Sequence, residues 1–176
     1  YNEVILNNGK KLKYDEWSTK IKLNFEKYFF IEKKNAYTQY NNTYKDYISD
    51  DNDLRHEAQL RPNIFIPLAI APELFNEEHA KKFMKLAEDL LVVKNNIGIR
   101  TLDYNDKNYN GDYYPDNDST DYHLAHGLNY HNGPEWVWPA GFYLISKINF
   151  NDLNENIFKD ICQRLLPYEK YIKNDG

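Results

Sequence analysis

Cysteine is almost absent from this chain. Cys162 stands alone among 176 residues, so no internal disulfide can form. A single thiol also points to a reducing compartment, and the expected location is cytoplasmic. No apolar run approaches about 18 residues, which argues against a membrane-spanning helix. The start lacks a charged segment followed by a short apolar core, so no secretory signal is expected. Lys and Arg number 22 against 27 Asp and Glu, a formal net charge of −5. Phosphate neutralisation needs clustered cations, and the few here stand beside acids, so nucleic acid is not an expected partner. The only methionine is Met84; opening on Tyr1 and closing on Gly176, the chain reads as a fragment.

Aromatic residues, by contrast, are plentiful at 16%, with sixteen tyrosines. Tyr and Trp join an apolar face to a polar tip, which suits hydroxyl-rich ligands. A general bias towards Tyr, Asn, Lys and Ile gives the same count without any ligand. The length suits one domain with a real core.

Along the chain, residues 1–13 predict a hairpin turning at Asn8-Gly9. A helix is predicted over 14–30, with Tyr14, Trp17, Ile21, Phe25 and Tyr28 on one face. The polar stretch 33–60, with its scattered tyrosines, reads as a surface loop. Helices are expected over 61–98: Pro62 opens one and Pro72 ends or kinks it. Asn76 then caps a second helix, whose stripe is Ala80, Phe83, Met84, Ala87, Leu90 and Leu91. Residues 99–133 lack a period and read as a long active-site loop. Helices return over 134–173, with Leu153, Ile157, Ile161 and Leu165 facing inward. The unaided reading is a mostly α domain whose loops gather into a site.

His123, His126 and His131 lie close in sequence, but no second Cys completes a zinc set. Asp116-Asn117-Asp118 opens like a calcium loop, yet its sixth and twelfth positions are Asp121 and Gly127 rather than Gly and Glu. No metal is expected, nor any cofactor. Cys162 and Ser146 sit mid-helix without a nucleophile motif. Glu135, in LNYHNGPEWVWPAGFYL, is the more attractive group. Sugar cleavage needs carboxylates beside aromatic platforms, and a helix N-terminus at Pro134 or Pro139 would keep Glu135 ionised as a base. Acids also stand in first turns merely as caps. Asp112, Asp116, Asp118 and Asp121 are possible partner acids or plain turn residues. Arg61 and Arg100, read at loop–helix junctions, could fork onto sugar hydroxyls or pair with an acid.

QLRPN (59–63), APELF (71–75), IRTLDYNDKNYNGDYY (99–114) and GLNYHNGPEWVWPAGFYL (127–144) follow in order. Together they resemble the C-terminal amylo-alpha-1,6-glucosidase domain of eukaryotic glycogen debranching enzymes, and the likeness extends over essentially the whole chain. The resemblance implies an (α/α)6 toroid, the six-hairpin glycosidase type, incomplete in this chain. It implies inverting hydrolysis of the α-1,6-linked glucose at glycogen branch points, with glycogen or limit dextrin as substrate. The parent polypeptide would add a 4-alpha-glucanotransferase domain. In this family the general acid is an Asp in an upstream Cys-Gly-Thr-Trp-Met-Asp type motif. The base is a Glu in a downstream Gly-Leu-Pro-Glu-Leu type motif. Both are expected outside this chain, which alone would be inactive. Bacterial relatives carry Thr-Val in place of Pro134-Glu135, so the resemblance makes Glu135 structural rather than the base. By motif position, Arg61, Asn63, Arg100, Tyr109, Tyr130, His131, Asn132 and Trp138 are implied to shape the glucose cup. Pro67 and the stretch before Ala58 depart from the family pattern. A non-catalytic glucan-binding helical module is the alternative.

Overall fold

The computed structural model of the chain describes residues 2–48, 57–113 and 128–175. The fold is mostly helical. Its elements are β1 (Glu3–Ile5), β2 (Lys11–Lys13), α1 (Tyr14–Phe29), β3 (Phe30–Ile31), β4 (Thr43–Tyr44), α2 (Phe65–Ile70), α3 (Glu77–Leu91), β5 (Ile99–Arg100), β6 (Glu135–Trp136), α4 (Pro139–Asn149) and α5 (Glu155–Asp175). The strands form three antiparallel two-stranded ribbons: β1–β2, β3–β4 and β5–β6.

Helix α3 shows most directly how the sequence makes the fold. The Asn76 side chain accepts from the His79 N–H at 3.1 Å, closing an orphan donor of the first turn. All six residues of its predicted stripe are buried. Before it, Pro62 opens a 3-10 turn (Pro62–Ile64) that runs into α2. Pro67 is the third residue of α2, where a missing N–H breaks no intrahelical bond. The C-terminal carbonyls of α2 are satisfied from α4, because Asn149 donates to Leu68 O at 3.0 Å and Ala69 O at 3.1 Å.

Tyr44 departs from the surface-loop reading of 33–60. It is 2% exposed and packs on Phe30, Phe75 and Phe83. Its hydroxyl donates to Glu26 Oε1 at 2.6 Å, an oxygen that also accepts the Asn76 N–H at 2.7 Å. Pairing of β3 with β4 carries Tyr44 inward, an effect of register that its polar neighbours conceal.

Two helix faces also differ from expectation. On α1, Phe25 packs against the core, whereas Tyr14, Trp17, Ile21 and Tyr28 are exposed. Leu153, just before α5, and Leu165 on it face solvent, and the inward face of α5 carries Asp160, Arg164 and Tyr168 alongside Ile157 and Ile161. Charge pairing sets that rotation. Lys147 of α4 bridges Glu88 at 2.9 Å and Asp160 at 2.6 Å, and Arg164 bridges Asp160 and Glu88 in turn. Burying Leu165 instead would turn these charges away from partners that are already partly desolvated.

Leu23, Leu153, Phe158 and Ile172 are each at least 66% exposed. Apolar faces of this kind drive self-association. The isolated 176-residue chain should therefore aggregate or bind a hydrophobic dye; a dye-silent monomer with a sharp thermal transition would contradict this.

Candidate functional site

Arg61 organises the loop end of the fold. It precedes the 3-10 turn in extended backbone, and every guanidinium N–H finds an acceptor. Nε and Nη2 donate to Gln59 Oε1 at 3.2 and 2.8 Å. Nη2 also donates to Asn132 Oδ1 at 3.0 Å. Nη1 donates to Thr101 O at 3.2 Å and to His131 O. All five donors of the side chain are thus used, and two distant segments, at 101 and at 131–132, are tied to 59–61 at one point. Burial lowers the Arg61 pKa, while the charges of Asp46 and Asp106 oppose that shift.

The backbone closes the same knot. Thr101 N–H donates to Pro134 O at 3.2 Å, and Asn110 N–H to Asn132 O at 2.7 Å. Gly133 N–H donates to Thr101 Oγ1 at 2.8 Å. At Gly133 a Cβ would lie 2.1 Å from Asn110 O, so the two loops meet where only glycine fits.

Standing on this knot is a wall of rings. Tyr113 and Tyr130 have centroids 5.0 Å apart, Tyr130 and Trp136 4.9 Å, and His131 and Trp136 4.8 Å. Trp136 leads to Trp138 at 6.2 Å, and Trp138 to Phe142 at 6.1 Å. Tyr113, Tyr130 and Trp138 keep 37%, 43% and 46% of their surface exposed, so ring faces remain open to a ligand.

Glu135 does not cap a helix. It lies in β6, and α4 begins at Pro139 with Trp138 at its N-cap. Pairing of β5 with β6 sets Glu135 opposite Arg100. Its Oε2 accepts from Asn96 Nδ2, and its Cβ fills the space a Gly98 side chain would need, 2.4 Å from that position. Helix α4 starts at Pro139, four positions after Glu135, and not at Pro134, because the chain uses Glu135 and Trp136 to pair with Ile99 and Arg100 first. Arg100 therefore lies in a strand rather than at a helix junction. Its Nη1 donates to Leu90 O at 3.1 Å, and its guanidinium covers the Tyr104 ring.

Burial raises the Glu135 carboxyl above its ordinary pKa, and Arg100 opposes the rise. A raised folded-state value means that the folded chain binds this proton better than the unfolded one. The stability it contributes is complete below the ordinary glutamate range and is lost as pH rises through the raised value. Glu135→Gln should remove this loss, so its thermal midpoint should gain on the parent's as pH rises above the ordinary glutamate value of about 4. A midpoint difference that stays constant with pH would refute the assignment.

Of the other expected residues, Asn63 donates to both oxygens of Asp46, at 3.0 and 3.2 Å. Burial raises the Asp46 carboxyl, and Asn63 and Arg61 oppose that. Tyr109 closes a turn, its own N–H donating to Asp106 O at 2.9 Å. The structure thus gathers Arg61, Tyr130, His131, Asn132 and Trp138, and leaves Arg100 on the β5 ribbon and Asn63 beside Asp46. Asp112 is an exposed turn residue whose N–H donates to Asn110 Oδ1 at 3.0 Å. His123, His126, Asp116, Asp118 and Asp121 lie outside the described residues. Among the described residues no group of three or more His, Cys, Asp or Glu is placed to hold a metal.

The family model for amylo-alpha-1,6-glucosidase matches residues 2–176. The chain belongs to the amylo-alpha-1,6-glucosidase family. It is similar to the glycogen debranching enzyme of Saccharomyces cerevisiae, 34% identical over 155 residues. That match covers 82% of this chain and 10% of the relative, so the chain spans about one tenth of that protein's length. Within this amylo-alpha-1,6-glucosidase segment, sequence reasoning missed Asp46, Asp103 and Asn129. Asn129 is fully buried, and neither side-chain polar atom has a partner among the described residues. The one available signal was Asp103 and Asp106 flanking short Asn-containing turns. Among the described residues, no helix is long and apolar enough to cross a membrane.

Proposed function

We propose that this chain forms part of an (α/α)6 toroid in a polypeptide that hydrolyses α-1,6-linked glucose at glycogen branch points. The observation that carries this reading is the wall of open rings mounted on the Arg61 knot, in a chain of this family. Aromatic faces bind the apolar faces of sugar rings, and the amides and guanidinium beneath hold those faces in place. Tyr130 and Trp138 are the stacking surfaces, with His131, Asn132 and Tyr109 at the rim. Arg61 acts by positioning them, since its donors are spent within the protein. Asn63 and Arg100 shape the cup from further out.

Inverting cleavage needs an acid and a base separated widely enough to admit water. Those carboxylates are assigned to the parent polypeptide outside this chain, and its substrate is glycogen or limit dextrin. Its compartment is the cytoplasm, which suits the exposed single thiol of Cys162.

The complete polypeptide should release free glucose from limit dextrin, and Trp138→Ala should raise KM by about tenfold. Glu135→Gln should cost far less turnover than removal of either outside carboxylate; a loss of about 10⁴ would make Glu135 the base. A second reading is a glucan-binding module without hydrolysis, and a Glu135 engaged by Asn96 and packed on Gly98 is compatible with either. Glucan binding by the complete polypeptide without glucose release would select it.

A further inference from the structure

The turn at 93–98 joins α3 to β5 and backs onto the ribbon that carries Glu135 and Trp136. Val92 bridges Ile99 at its base, and Asn95 takes a positive φ of 61° within it. One residue of the turn, Ile97, is held from both sides. Its N–H donates to Asn96 Oδ1 at 2.9 Å, and its carbonyl accepts the Tyr168 hydroxyl from α5. The other end of the Asn96 amide continues to the site, because Nδ2 donates to Glu135 Oε2. An unbroken run of contacts thus leads from Tyr168 through Ile97 and Asn96 to Glu135, the chain neighbour of Trp136 in the wall of rings.

Helix α5 places the first member of that run. Asp160, Arg164 and Tyr168 recur every four residues, so they share one helix face. The first two are seated by charge, Asp160 on Lys147 and Arg164 on Glu88, which fixes the face against α3 and α4. Tyr168 lies one turn further and reaches the 93–98 turn. Burial raises its phenol above the ordinary pKa, so it stays a donor at neutral pH. Beneath the same face lies a cavity of about 260 Å³, lined in part by Val92, Ile99, Ala140, Leu144 and Pro167. Packing across a cavity is weak, so directional bonds set the position of the turn against the helix. At the other end contact is tight: a Gly98 side chain would meet Glu135 Cβ at 2.4 Å, so a shift of the turn displaces β6.

We infer that Tyr168 is a positioning residue for the sugar cup: through Ile97 and Asn96 it fixes Glu135, and with it the placement of Trp136 and Trp138. The inference rests on the glucan reading above. Tyr168 meets no sugar itself; it governs where the rings stand when a sugar arrives. A hydroxyl that merely held α5 down would weaken α5 and leave the wall as it is.

Tyr168→Phe in the full-length polypeptide tests this, because only the hydroxyl is lost. Amides of 96–99 and of 135–138 should both exchange about fivefold faster, as expected for one net hydrogen bond. KM for limit dextrin should rise about fivefold while kcat stays within about twofold. Asn96→Ala, which cuts the run nearer the site, should give the same KM rise and the same change at 135–138 while α5 keeps its protection. The double variant should be no worse than either single one. Faster exchange confined to α5 and 96–99 with KM unchanged, or additive KM effects in the double variant, overturns the positioning role and leaves the glucan reading standing. If the unsubstituted polypeptide neither binds limit dextrin nor releases glucose from it, the glucan reading falls. Exchange at 135–138 then decides alone whether Tyr168 places the wall, and an unchanged rate there overturns it.

Discussion

Arg61→Lys should destabilise the complete polypeptide by about 3 kcal/mol and lower its glucose release from limit dextrin by about 10²-fold. Lys carries a single ammonium group on a flexible stem, whereas Arg61 serves Gln59, Thr101 O, His131 O and Asn132 from one rigid plane. The substitution keeps the charge, so the loss measures geometry. Three of those acceptors belong to segments 40 or more residues away in sequence, and they would be left partly unsatisfied in a desolvated place. The activity effect follows from the wall, since Tyr130 and Trp138 stand on the loop that Arg61 ties down. Urea unfolding and glucose release on the same preparation check both parts. An unchanged midpoint together with full activity would show that the knot does not need the guanidinium.

Gly133→Ala should be at least as damaging, at about 3 kcal/mol or more. The added Cβ would collide with the Asn110–Gly111 peptide unit: Asn110 O at 2.1 Å, Asn110 C at 2.4 Å and Gly111 N at 2.8 Å. Backbone cannot rotate away as a side chain can, so the 110–111 loop must move and give up the Asn110–Asn132 bond. Gly141→Ala is the control. Gly141 lies in α4 with nothing within 4 Å of the added Cβ, so Ala should stabilise the helix by up to about 1 kcal/mol. Equal effects of the two substitutions would refute the close-approach argument.

What could be read without coordinates divides along physical lines. The α3 stripe, its Asn76 cap and the Asn8-Gly9 turn depend on neighbours three or four residues away, and periodicity reports those directly. Leu153 and Leu165 went astray because an apolar period cannot reveal that Glu88 and Lys147 wait on the facing helices. Tyr44 was hidden by the polarity of the chain around it.

Glu135 shows the same division at the site. Its residue type and aromatic company are properties of the stretch GPEWVW, and so is the family to which the chain belongs. That it pairs across β5–β6 opposite Arg100, packs on Gly98 and stands apart from the α4 N-terminus depends on residues 35 or more positions away. Sequence by itself determined the helical class, the ring-rich loops and the kinship, because each is local composition or ordered motifs. Tertiary structure alone decided that Arg61 spends its donors inside the protein and that Asp103 meets Tyr40. Both are long-range hydrogen bonds, and no local pattern encodes which distant acceptor a buried donor will reach.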